Sequence, residues 1–192
     1  MAKTKISAVV NVRNEAENIE GCLQYLKFCD EIIVVDMESS DNTVELAKNY
    51  TEHIFHHEAI GYVEPARNFA IKKATSDWIL IVDADERITK TLAAKLIEVV
   101  QKDEADFVRI PRKNLVFDQW LQHSRWWPDY NIRFFKKGSV EWQDEIHSVP
   151  ITTGNGLNLD ADEKLAIEHH HYKTIDEYFT RSLRYSNQQA KE

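Results

Sequence analysis

The segment Asp77-Trp78-Ile79-Leu80-Ile81-Val82-Asp83-Ala84-Asp85-Glu86 constrains the fold more than any other, because an unbroken apolar run ends abruptly in carboxylates. A strand with one wet face would alternate apolar and polar residues. Residues 78–82 do not alternate, so they predict a strand covered on both faces, as parallel strands are in α/β sheets. Ligands in such sheets sit beyond the carboxyl ends of the strands. Asp83 and Asp85, one small residue apart, can hold a hard divalent cation such as Mg²⁺ or Mn²⁺ through oxygen, and the cation can hold a diphosphate. The competing reading is a strand end that simply becomes a polar loop, since short motifs often match by accident.

The neighbouring segments carry the choice. Ile6-Ser7-Ala8-Val9-Val10-Asn11-Val12 predicts a first strand. Arg13 to Asn18 follow as a polar turn, with Asn14 and Glu17 spaced as a capping box, and Ile19, Cys22, Leu23 and Leu26 recur at helical spacing. The unit repeats as the strand 31–36 ending in Asp36, a polar turn 37–43, and a helix through Val44, Ala47 and Tyr50. His53-Ile54-Phe55 predicts a short third strand, and Pro65 suits the first turn of a helix carrying Ala66, Phe69 and Ala70. Segment 78–82 is then the fourth strand, and Thr89 caps a helix whose buried stripe is Leu92, Leu96 and Val99. This alternation predicts a mostly parallel, Rossmann-like sheet flanked by helices.

Beyond residue 105 the rhythm changes. Asp106 to Ile110 predicts a strand, followed by an aromatic segment with Trp120, Trp126, Trp127 and Tyr130. Residues 131–135 and 140–142 predict a hairpin turning at Gly138. Residues 165–168 predict a last strand leading into His169-His170-His171, and Thr174 with Glu177 caps a final amphipathic helix. That helix reaches Glu192 without a stop signal, so the sequence reads as a piece of a longer chain.

Composition narrows the function classes. With 192 residues, 43% of them hydrophobic, the chain can build a sizeable core, and a net charge of −8 argues against a nucleic-acid surface. An anionic ligand must therefore be held by local cations, helix N-termini or a metal. The N-terminus lacks the apolar stretch of a signal peptide and no later run is long enough to span a bilayer, which predicts a cytoplasmic protein. Cys22 and Cys29 lack a metal-ligand pattern and read as reduced packing residues.

One sheet edge collects the chemistry: Arg13 and Asn14 after the first strand, Asp36 after the second, and Asp83 with Asp85 after the fourth. A carboxylate such as Asp36 can accept N–H donors from a base or hydroxyls from ribose, and Arg67 can pair with phosphate. That is the layout of a nucleotide-diphosphate site. Singly, Asp36 reads equally as a turn residue and Arg67 as a solvated helix charge. Trp126, Trp127 and Trp142 either pack together beneath a long loop or line a groove that stacks sugar faces.

With these motifs in hand, the chain resembles glycosyltransferase family 2, the inverting enzymes of the GT-A fold. The resemblance rests on residues 7–15, 34–43, 66–68, 82–86, 129–135 and the tail from His169 to Ser186, and is nearest to bacterial lipopolysaccharide-core β-glucosyltransferases. It implies one catalytic domain over 1–192, with a nucleotide-sugar half (1–104) and an acceptor half (105–192). Asn11, Arg13 and Glu15 would line the nucleotide pocket, Asp36 would read the base, usually uracil, and Arg67 would support base or phosphate. Asp83 would face ribose or donor sugar. Asp85 would bind the Mn²⁺ or Mg²⁺ ion, with His169 as a further ligand and His171 in reserve, since both point to one face of a strand.

Inverting transfer also needs a base for the acceptor hydroxyl. Relatives often carry His-Glu where this chain reads His147-Ser148, so the base is sought at Glu145, then Asp144, then Asp129. The partners implied are a nucleotide-diphosphate sugar, UDP-linked by preference, and a cell-envelope glycan or lipid-linked acceptor, with peripheral attachment to the inner membrane face through residues beyond Glu192. The departure at Ser148 supports an alternative, a non-catalytic nucleotide-sugar-binding module. A nucleotidyltransferase is disfavoured because Arg13-Asn14-Glu15 is not a glycine- and basic-rich phosphate loop.

Overall fold

The computed structural model describes residues 4–59, 63–143, 149–180 and 183. Its first half has the expected alternation: β1 (Ile6–Val12), α1 (Ile19–Leu23), β2 (Glu31–Asp36), α2 (Thr43–Ala47), β3 (Ile54–His56), α3 (Glu64–Lys73) and β4 (Trp78–Asp83). Then come β5 (Glu86–Arg87), α4 (Lys90–Lys102), β6 (Phe107–Val116), β7 (Gln119–Trp120), β8 (Asp129–Lys136), β9 (Val140–Glu141), β10 (Ile151–Thr152), β11 (Gly156–Asn158) and β12 (Ile167–Tyr172). The main sheet runs β3-β2-β1-β4-β8-β6-β12-β5. The strands from β3 to β4 are parallel, whereas β8 enters antiparallel between β4 and β6.

The apolar runs are continuous because both faces are covered. Ala8, Val10 and Val12 of β1 and Leu80 and Val82 of β4 pack with Ile19, Cys22 and Leu23 of α1 and Leu92, Leu96 and Val99 of α4. Val9, Ile33, Val35, Ile79 and Ile81 pack on the other side with Ala66 and Ala70 of α3, and with Phe107, Phe135 and Trp142. Each of these larger side chains, moved from water to the interior, contributes roughly 1.5–3 kcal/mol. Thr89 caps α4 as expected, its Oγ1 accepting the Leu92 N–H at 3.2 Å.

Several expectations are corrected. Asn14 does not open a capping box: it sits at φ 55°, and its Oδ1 accepts the Ser40 N–H at 2.7 Å, binding the first turn to the second. The second helix ends at Ala47 rather than running through Tyr50. Gly138 does turn the chain, at φ 93°, but β8 and β9 are not a hairpin: β8 joins the main sheet and β9 pairs with β10. The strand expected over 106–110 extends to Val116, and the histidines lie inside β12 rather than after a strand. Residues 175–180 are helical, and the Glu177 N–H donates to Thr174 Oγ1 at 3.1 Å as expected. Among the described residues, no helix is long and apolar enough to cross a membrane.

Candidate active site

Register brings the predicted residues to one edge. Val12 lies opposite Asp36, and Asn11 lies opposite Asp83, so the acidic ends of β2 and β4 flank the end of β1. Asn11 shares a face of β1 with Val9, the face covered by α3. It is only 8% exposed, and neither its Oδ1 nor its Nδ2 has a hydrogen-bond partner among the described residues. A buried amide with both ends unsatisfied is costly, and it gives a ligand two ready contacts.

Asp83 is held from two sides. Arg133, from β8, donates to its Oδ2, and Arg67, from α3, lies 3.3 Å from its Oδ1. Burial alone would raise the Asp83 carboxyl, but Arg133 first and Arg67 next outweigh it and keep the group well below the usual carboxylate range. The Nε atoms of Arg67 and Arg133 are both buried without a hydrogen-bond partner among the described residues. Glu86, fully buried, accepts the Asp83 N–H at 3.0 Å and faces Arg133 at 3.0 Å and Arg112 at 3.5 Å. Arg112 in turn binds Asp129 Oδ2 at 2.7 Å.

Asp85 faces a different strand. Its Oδ2 is 3.5 Å from Nε2 of His169, and its backbone carbonyl accepts the His170 N–H at 2.8 Å. His169 and His171 do share a face of β12, with His171 Nδ1 3.3 Å from His169 Nε2 and the rings 4.6 Å apart. A carboxylate and two imidazoles are donors that suit Mn²⁺ and, less well, Mg²⁺. Asp85 Oδ2 and His169 Nε2, 3.5 Å apart, fit a divalent cation as a pair of ligands, while among the described residues no group of three or more His, Cys, Asp or Glu side chains is assembled to hold a metal alone. Trp126 lies beside His171, at 5.8 Å between ring centroids, and Trp120 and Trp127 meet edge to face at 5.1 Å.

Arg13 is exposed on the rim. Glu15 holds the first turn: its N–H donates to Thr43 Oγ1 at 2.8 Å, and its Oε2 accepts from Asn18 Nδ2 at 2.8 Å. Asp36 is buried, accepting the Ser39 N–H at 3.2 Å and lying 3.3 Å from His56 Nδ1. Asp144 and Glu145, with His147 and Ser148, lie outside the described residues. Just before them, Trp142 is tied to α3: its carbonyl accepts from Asn68 Nδ2 at 2.6 Å, and Arg67 lies over its ring at 5.9 Å.

Burial pushes the Asp129 carboxyl up, but Arg112 and the hydrogen bonds from Asn114, Arg112 and Asn131 bring it below its ordinary value. Cys22 is a buried thiol under Asp83, its pKa pushed far up chiefly by burial, and both cysteines are free.

Known proteins resemble this chain in sequence and in fold. The sequence profile described as glycosyl transferase family 2 matches residues 7–165. The chain belongs to that family. An uncharacterized glycosyltransferase of Rickettsia felis is 28% identical to this family 2 chain over 201 residues, covering 98% of it and 70% of the relative. The lipopolysaccharide core biosynthesis glycosyltransferase LpsC of Rhizobium meliloti is 26% identical, covering 98% of this chain and 71% of its own length. The crystal structure of S. aureus TarS 1–349 in complex with UDP superposes with a TM-score of 0.62 at 16% identity, over 92% of this chain and 63% of that one. The fold of this family 2 chain is GT-A.

Missed by the sequence reading were Arg133, Glu86, Arg112 and Asn114. Arg133 and Glu86 lay within the matched motifs, but nothing local signals that strand order would stack them against Asp83.

Proposed function

We propose that this family 2 domain is a metal-dependent, inverting transferase. It moves a sugar from a nucleotide diphosphate, UDP by preference, to a hydroxyl of a cell-envelope glycan or lipid-linked acceptor. The observation that carries the reading is the meeting of Asp83 and Asp85 with Arg67, Arg133 and His169, delivered by α3, β8 and β12. Two acids, two arginines and a histidine at a sheet edge can hold a donor diphosphate, either directly or through a cation.

Asp85 and His169 would hold Mn²⁺ or Mg²⁺, with His171 in reserve. When bound, the ion supplies positive charge that neutralises the departing diphosphate. Asn11 offers an unpartnered donor and acceptor to the nucleotide, and Arg67, with Nε free, supports base or phosphate. Arg13 and Glu15 border the pocket at the first turn. Asp36 would exchange its contact with the exposed His56 ring for a base edge, and Asp83, held by the two arginines, would face ribose or sugar.

A base takes the acceptor proton as its oxygen attacks the anomeric carbon opposite the leaving diphosphate. Glu145 is the choice, with Asp144 next. Trp142 anchors the preceding chain beside Arg67, on the donor side of the sheet. The acceptor class rests on the family resemblance and on the LpsC relative.

A thermal-shift panel of UDP, GDP, ADP and dTDP sugars, with and without Mn²⁺, tests the reading, because a ligand that binds the folded state raises its melting temperature. The expected result is stabilisation by UDP-sugars that needs Mn²⁺. No shift with any nucleotide would overturn it. Binding without any transfer or hydrolysis of a labelled UDP-sugar would favour the non-catalytic module instead.

A further inference from the structure

Four adjacent strands carry one line of polar side chains. Asp129 lies on β8, Arg112 and Asn114 on β6, His169 on β12, and Asp85 immediately before β5. Register sets their order: Arg112 lies opposite Asp129, Asn114 opposite His169, and His169 opposite Glu86.

At the centre is Asn114, 2% exposed. Its Nδ2 donates to the Trp126 carbonyl at 3.1 Å and to Asp129 Oδ2 at 3.2 Å. Both partners are acceptors, so the amide has one sensible orientation, and its Oδ1 faces His169 Nδ1 at 2.6 Å. An amide oxygen only accepts, so Nδ1 must carry the hydrogen, which leaves the lone pair of a neutral ring on Nε2. That nitrogen lies 3.5 Å from Asp85 Oδ2 and 3.3 Å from Nδ1 of His171. The opposite tautomer would place Nε2–H against the Asp85 carboxylate, closing a hydrogen bond where an ion should enter.

We propose that Asn114 is a positioning residue that sets the tautomer of His169, keeping Nδ1 protonated so that Nε2 offers its lone pair beside Asp85. Asp129, itself held by Arg112, fixes the Asn114 amide from behind. This inference rests on the reading of Asp85 and His169 as ligands of a divalent cation, where such an outer partner commonly orients the ring.

Two measurements on the full chain test it. The first is long-range ¹H–¹⁵N NMR of the metal-free protein at neutral pH, with the His169 signals assigned by their loss in His169→Gln. The expected pattern is a hydrogen on Nδ1; an Nδ1 without its hydrogen overturns the proposal. The second is Mn²⁺ titration by calorimetry of wild type, Asn114→Leu and Asp85→Ala. Asn114→Leu, with native circular dichroism, should bind Mn²⁺ roughly ten- to hundredfold more weakly and lose the Nδ1–H pattern. Unchanged affinity in the folded variant overturns the proposal. If that variant does not fold, the wild-type NMR pattern decides alone. If Asp85→Ala binds Mn²⁺ like wild type while the NMR pattern is as expected, the cation reading fails and the tautomer assignment stands.

Discussion

Glu86 and Arg133 meet beneath the candidate site, Oε1 to Nη2 at 3.0 Å, with side chains 0% and 5% exposed. Arg133 reaches on to Asp83, and Glu86 also accepts the Asp83 N–H, so this buried pair fixes both the side chain and the backbone at the end of β4. Losing Glu86 leaves Arg133 with Asp83 and Arg112 with Asp129, but leaves the Asp83 N–H and one face of the Arg133 guanidinium without their buried acceptor. Glu86→Ala should therefore destabilise the fold by about 1–3 kcal/mol, the cost of leaving buried donors without an acceptor. Urea unfolding checks this, and a loss under about 1 kcal/mol, the scale of an exposed ion pair, would show that the pair is not structural.

Arg67 touches Asp83 and the Trp142 ring, and on the proposed function it also supports the donor. Its partner Asp83 keeps Arg133 when Arg67 is lost, so the fold should survive. A charge-assisted hydrogen bond to the donor is worth about 1.5–3 kcal/mol. Arg67→Ala should thus raise the donor Kd roughly ten- to hundredfold, measured by calorimetry with UDP and Mn²⁺ at unchanged melting temperature.

The histidines should separate. His169 Nε2 lies by Asp85, whereas His171 meets His169 and sits tilted against Trp126 and Tyr172. His169→Ala should weaken Mn²⁺ binding more than His171→Ala, in direct titration of each variant. The reverse order would make His171 the ligand.

Away from the site, Glu31 gives a pH signature. Its burial tends to raise the carboxyl, but hydrogen bonds from Ser7, the Thr75 N–H and the Thr75 hydroxyl lower it below its ordinary value. A depressed carboxylate stabilises the fold above its unfolded pKa, about 4.3, and that contribution is lost as pH falls through the lower folded value. Glu31→Gln should accordingly be less stable than wild type at neutral pH, and the difference should shrink below about pH 4. Melting curves across that range check it.

How much of this was legible in the sequence follows from the reach of each interaction. The ends of β1, β2 and β4 could be read because each apolar run is local and stops at Asn11, Asp36 or Asp83. Parallel order then brings those ends together. The role of Arg133 could not be read, because it depends on β8 entering antiparallel beside β4, a pairing with no local signal. Gly138 shows the same limit. Its turn was visible, but the strands it joins belong to different sheets. Asn14 had the spacing of a cap, yet its short side chain found a better partner in the Ser40 N–H across the next turn. His169 and His171 were placed on one face by strand periodicity alone, whereas Asn114, which orients His169, is a cross-strand neighbour fifty-five positions away.

The most direct test of the account is release of UDP from a UDP-sugar in the presence of Mn²⁺, wild type against Asp85→Asn. The substitution keeps the shape of the side chain and removes its charge. The account predicts Mn²⁺-dependent turnover by wild type, and a loss of about a hundredfold or more in the variant, in the range that removal of one electrostatic stabiliser commonly costs. Equal turnover by the two proteins would contradict it.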